Sequence, residues 1–237
     1  MARSDQIGAM TSQYELPFFE PVHAEIARGL AVWMPQQLVD ETDDRRACKE
    51  WVKRLGQGGW LRYCVPAAHG GALPLMDSRA LVILRETLAF HSPLADFAFA
   101  MQGLGSGAIT LAGTAKQQAD YLPAVARGDK IAAFALSEPD AGSDVAAMQT
   151  KAAKVKNQHK QNAINNIATQ TINTLDTGQF YAKDDSNYEA YNLTGVKTWI
   201  SNGGMADFYV TFAKTDATAG TKGIRAFIVD ANLQGLE

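Results

Sequence analysis

The stretch Ala135–Met148, ALSEPDAGSDVAAM, decides how the rest of the chain is read. An apolar run ends there in a hydroxyl, Ser137, after which Glu138, Asp140 and Asp144 crowd around Pro139 and Gly142, with a second hydroxyl at Ser143. Such a run with such punctuation is a strand entering a tight loop. Pro139 fixes one torsion and removes a donor, while Gly142 permits a positive φ or the close approach of a ligand. A loop of this kind aims successive N–H groups outward, forming a nest for an electron-rich ligand atom, with Ser137 and Ser143 adding hydroxyl donors. The residues alone leave a second reading open, in which the carboxylates only bond neighbouring amides of a turn. A divalent-cation loop is disfavoured, because the alternation and later bidentate Glu of an EF-hand are missing.

Upstream of this stretch the periodicity is helical. Cys48, Trp51, Val52 and Leu55 fall at i, i+3, i+4 and i+7, and Leu81, Leu84 and Leu88 repeat the spacing after a candidate N-cap at Asp77. In TAKQQADYLPAVARGDK the sequence predicts that a helix yields at Pro123 and that Gly128 ends the short one after it. Downstream the period shortens: KIAAFALS, DFYVTFAKT and GIRAFIVD read as strands buried on at least one face. Between about residues 154 and 191 the texture is polar and rich in Asn and Gln, and is read as an inserted surface loop.

The 237 residues are 46% hydrophobic and 20% charged with a net charge of −3, values of an ordinary globular protein that argue against a nucleic-acid-coating or membrane function. Cys48 and Cys64 are not spaced as CxxC, and His23, His69, His91 and His159 form no metal-binding cluster, so no metal is expected. His69, in a glycine-rich loop, is read as a structural imidazole. The N-terminal residues match neither a signal nor a transit peptide, and a cytoplasmic protein is expected.

Two segments carry a resemblance. FALSEPDAGSDVAAM looks like the signature of the acyl-CoA dehydrogenase family, and GVKTWISNGGMADFYVTFAKT resembles the second flavin-binding stretch of that family, in the same order. The resemblance implies an α+β chain: a helical N-terminal domain over residues 1–129, then a β-barrel-like middle domain over 130–237 that carries the polar insertion, ending before a C-terminal four-helix bundle. It implies FAD as cofactor. Phe134, Leu136, Ser137, Gly142 and Ser143 would line the pyrimidine side of the isoalloxazine, with Ser137 bonding the ring and Ser143 also meeting substrate. Trp199 would pack on the flavin, beside Ile200, and Ser201 would bring a hydroxyl near N5. In an extended strand Trp199 and Ser201 face the same side; without the resemblance, Trp199 reads as a core or edge aromatic and Ser201-Asn202-Gly203-Gly204 as an ordinary turn.

The activity implied is α,β-dehydrogenation of an acyl-CoA thioester, a carboxylate removing the α-proton while the β-hydrogen passes to flavin N5 as hydride. In the family that base is a Glu of the C-terminal helical domain, so no catalytic residue is assigned in this chain, which is expected to be a fragment inactive alone. The implied partners are the acyl-CoA substrate and an electron-transfer flavoprotein, with a homotetramer or homodimer for the full-length protein and neither nucleic acid nor membrane. Acyl-CoA oxidase, nitroalkane oxidase and flavin monooxygenase chemistry on the same fold, or a non-catalytic flavin-binding role, are the alternatives.

Overall fold

Asp43, Asp77, Ser92 and Thr114 each turn a side-chain oxygen onto the N–H groups of a following helix, and these caps set the starts of four of the five α-helices described in the first of two units, Met1–Ile131. The structure is a computed structural model that describes Tyr14 and residues 16–154, 178–182 and 189–236. The helices are α1 (Pro21–Trp33), α2 (Asp44–Gln57), α3 (Ser78–His91), α4 (Pro93–Ala112) and α5 (Ala115–Arg127). The face predicted for α2 is buried as Cys48, Trp51, Val52 and Leu55, and α3 buries Leu84 and Leu88. Helices α2, α3 and α5 all pack on α4. Its buried side carries small residues, Ala95, Ala98, Gly105 and Ser106, beside Phe99 and Ile109, which lets its neighbours come close.

One expectation fails here. Helix α5 does not yield at Pro123 but runs through it to Arg127. A capping box between Thr114 and Gln117 and the burial of Leu122, Val125 and Ala126 outweigh the hydrogen bond that proline cannot make. Gly128, at φ 73°, ends the helix in the left-handed conformation that glycine adopts without penalty.

The second unit, Ala132–Glu237, is built on a sheet of six described strands: β1 (Ala132–Ala135), β2 (Lys151–Lys154), β3 (Gly178–Ala182), β4 (Glu189–Thr194), β5 (Phe208–Lys214) and β6 (Ile224–Asp230). Strand β6 pairs antiparallel along the whole of β5. The other edge of β5 is shared: β1 pairs parallel with it from Ala132↔Phe208 to Ala135↔Thr211, and β2 at Lys151↔Lys214. Residues 136–150 therefore leave one edge of β5 and return to it a few residues further on. This detour contains the loop on which the sequence reading turns.

The sheet continues antiparallel from β2 to β4 to β3. Residues 155–177 and 183–188 of the span read as a polar insertion lie outside the described residues. The remainder is not loop, since Gly178–Ala182 and Glu189–Thr194 pair with each other as strands. Leu193 supplies the reason, entering the core cluster with Ala152, Ala213, Phe227 and Val229, while Tyr191 packs edge-on to Phe227 at 5.3 Å. Among the described residues no helix is long and apolar enough to cross a membrane.

Candidate functional site

Ser137 follows β1 directly and is half-buried. Its carbonyl accepts the Thr198 N–H at 2.9 Å, so the two segments that carry the resemblance meet at this residue. Further bonds join them. The Lys197 Nζ donates to the Leu136 carbonyl at 2.9 Å and to Glu138 Oε1 at 2.8 Å, and Asn202 Nδ2 donates to the Ala132 carbonyl at 2.9 Å.

Glu138 closes the base of the loop. Its carboxylate accepts the N–H groups of Gln149 at 2.5 Å and Thr150 at 3.0 Å, while its own backbone forms a two-way bridge with Ala141. Burial alone would raise the Glu138 carboxyl, but the Lys197 ammonium and the two amides more than reverse this and hold it at about 2. For Lys197 burial wins, and its ammonium sits below its usual range despite the carboxylate. The other loop acids are placed differently: Asp144 accepts the Ala146 N–H, and Asp140 is exposed. Outside the loop, His69 lies 3.2 Å from Gln118 Oε1, consistent with a structural imidazole.

The second segment departs from the extended strand expected of it. Trp199 lies in a bend with φ 57°, and Ser201–Met205 is a turn with Asn202 at φ 64°. The turn is fixed by Asn202, whose side chain reaches β1 while its carbonyl accepts Met205 and Ala206, and by Gly203 N–H donating to Ile200. An L residue in the left-handed region costs about 1–2 kcal/mol. Trp199 carries that cost at 93% exposure, with almost no packing of its own to offset it. Gly142, by contrast, does not use a positive φ, and a Cβ there would meet no atom within 4 Å. Upstream of Lys197 the chain passes so close over Thr150 that a Cβ on Gly195 would lie 2.7 Å from the Thr150 Cα.

The residues singled out from the sequence fall into two groups. Phe134 is half-buried against Phe212, ring centroids 5.0 Å apart, and Leu136 and Ile200 are half-buried with their carbonyls engaged by Lys197 and Gly203. Ser137, Gly142, Ser143 and Ser201 offer donors: among the described residues no hydrogen bond is made by the N–H or hydroxyl groups of these four. The Asn202 Oδ1 is buried and likewise without a partner among the described residues. Unpaired donors on two joined loops, beside an exposed indole, suit a flat ligand with acceptor atoms along one edge.

Sequence reasoning missed Lys197 and Asn202. Nothing local marks Lys197 for burial, since Val196 and Trp199 on either side are exposed, whereas Asn before Gly-Gly signals a left-handed residue.

Two family models match the chain: acyl-CoA dehydrogenase N-terminal domain over residues 23–129 and acyl-CoA dehydrogenase middle domain over residues 168–237. The chain belongs to the acyl-CoA dehydrogenase family. It is 32% identical over 224 residues to the 3-(aryl)acrylate reductase of Clostridium sporogenes, covering 92% of this chain and 50% of the relative. Among solved structures it is similar to an acyl-CoA dehydrogenase complexed with FAD from Bacillus anthracis, at 27% identity and TM-score 0.66, covering 95% of this chain and 34% of that one. It is also similar to a chain from the structural study of the electron transferring flavoprotein of Acidaminococcus fermentans, at 27% identity and TM-score 0.69, covering 92% and 50%. The chain thus spans half or less of the length of these relatives. The middle-domain match begins inside the span read as an insertion, and the Ser137 loop lies between the two matched ranges.

Proposed function

We propose that this chain supplies one wall of an FAD site, and part of an acyl-CoA site, in a flavin-dependent oxidoreductase acting on the α,β carbons of acyl thioesters. The observation that carries the reading is the bond from Thr198 N–H to the Ser137 carbonyl, which joins the two segments while Ser137 and Ser201 keep unpartnered donors. The residues fit the cofactor. Ser137 and Ser201 would donate to acceptor atoms of the ring and the exposed Trp199 would cover it, with Gly142 leaving room beside the loop. When bound, the isoalloxazine supplies the two-electron acceptor. The protein's part is to fix donors where negative charge develops on the ring. Ser143, exposed at the loop tip, is assigned to the thioester substrate.

Glu138 is not the base that removes the α-proton: at about 2 it is too weakly basic, and both its oxygens are engaged by Lys197 and two amides. That carboxylate belongs to a part of the relatives that this chain does not span. An electron-transferring flavoprotein as redox partner is supported by the likeness to the Acidaminococcus study. The likeness to an arylacrylate reductase favours a second reading, the same chemistry in the direction of double-bond reduction.

The test is to titrate FAD into the purified chain and follow flavin fluorescence, then add a saturated acyl-CoA without oxygen. The expected result is saturable binding that Trp199→Ala weakens, with no bleaching of the flavin by the thioester. Wild-type binding that Trp199→Ala, Ser137→Ala and Ser201→Ala all leave unchanged would overturn the assignment.

A further inference from the structure

Lys197 does two things with one ammonium: it neutralises Glu138, and it donates to the carbonyl of the Leu136–Ser137 peptide. The C=O and N–H of a peptide unit are electronically coupled, so a charged donor on the oxygen withdraws electron density and makes the N–H on the far side a stronger donor. The N–H of that peptide is the Ser137 N–H, which has no partner among the described residues. Lys197 is 11% exposed and Glu138 5% at the side chain, so little water intervenes to screen the effect. A second bond holds the same residue from behind, the Thr198 N–H on the Ser137 carbonyl. The result is a polarised peptide held on both sides with its donor free.

We propose that Lys197 is a positioning residue that acts through the Leu136–Ser137 peptide, strengthening the Ser137 N–H as a donor and so favouring the reduced, more negative form of a bound flavin over the oxidised form. The proposal rests on the flavin reading for its consequence but not for its physical core, which is a property of the ligand-free chain. Glu138 confines the ammonium to this spot. Its negative charge is compensated by Lys197 and two amides, so removing only the lysine would leave a buried carboxylate that itself disfavours reduced flavin. The informative comparison is therefore Glu138→Gln, whose amide oxygen can still accept from the ammonium and hold it by the Leu136 carbonyl, against the double variant Lys197→Met/Glu138→Gln, which removes both charges.

Two measurements test it. In the ligand-free chain, the Ser137 amide proton is followed by 1H–15N NMR; it is expected downfield in wild type and Glu138→Gln, and to move upfield in the double variant while other β-strand amides keep their dispersion. With FAD added, the ratio of oxidised to reduced flavin dissociation constants is expected to fall about fivefold in the double variant relative to Glu138→Gln, the size of a modest cooperative gain in one hydrogen bond. Lys197→Arg, which keeps a charged donor, is expected to retain most of both effects. An unmoved Ser137 amide in a folded double variant would overturn the proposal whether or not the chain binds flavin, whereas a failure of wild type to bind FAD would overturn only the functional reading. If the double variant does not fold, Lys197→Arg alone decides: a Ser137 amide and affinity ratio close to wild type sustain the role of a charged donor, and loss of the downfield shift refutes it.

Discussion

At Glu138 a buried carboxylate serves structure and a candidate site together. Its folded pKa of about 2 lies below its ordinary value of 4.5, so its stabilising contribution is fully present above about pH 4.5 and is lost as the pH falls toward 2. Burial of Lys197 works against the pair, so the pair is worth less than the carboxylate shift alone suggests. Removing one partner is nevertheless costly, because the other is left uncompensated. Glu138→Gln is expected to destabilise the β unit by about 3 kcal/mol at pH 7 in urea unfolding, and the difference from wild type is expected to shrink on acidification below about pH 4.5. Gly142 gives the complementary case. No atom lies within 4 Å of the position a methyl group would take there, so Gly142→Ala is expected to leave unfolding midpoints unchanged while weakening flavin binding, measured by the two titrations side by side. A loss of stability without loss of binding would mean that the loop has no ligand against it.

Among the elements, α5 tests how far tertiary packing overrides local propensity. Pro123 sits in the interior of a helix capped at both ends. Pro123→Ala restores a backbone N–H and is expected to stabilise the helical unit by about 1 kcal/mol or more, read as a higher urea midpoint. Asp77→Ala should act in the opposite direction: the carboxylate accepts two N–H groups at the start of α3 and pairs with Arg79 at 2.8 Å, and its loss is expected to cost about 1–2 kcal/mol in the same assay. The sequence disclosed these elements unevenly. The face of α2 follows from periodicity and that of α3 in part, since Leu84 and Leu88 are buried while Leu81 is only half-buried; β1, β5 and β6 follow from their short apolar runs. Strands β3 and β4 were hidden because they lie in or beside a span rich in Asn and Gln, although Leu193 enters the core cluster with Tyr191 packed against it. The turn at Ser201–Met205 was open to reading from Asn-Gly-Gly, whereas its tie to β1 through Asn202 and the Ala132 carbonyl is a contact between residues 70 positions apart that local sequence does not show.

For the molecule as a whole, the helical unit and strands β3 to β6 fall within the two domain models of one family, while β1, β2 and the loop between them, which would meet the proposed ring, fall between the matched ranges. The residues alone offered Ser137 and Ser143 as hydroxyl donors flanking a Pro-Gly loop after a strand and left a purely structural turn equally open; their flavin and substrate roles came only from the resemblance. Lys197 was not, because an ammonium is read as a surface group until the fold buries it. The central claim is that the loop after β1 and the turn before β5 hold one flavin ring between them. A titration of FAD into 15N-labelled chain, followed at the Ser137, Ser143 and Ser201 amides, tests it directly. All three resonances are expected to shift with a common dissociation constant; shifts confined to one segment, or absent from both, would contradict it.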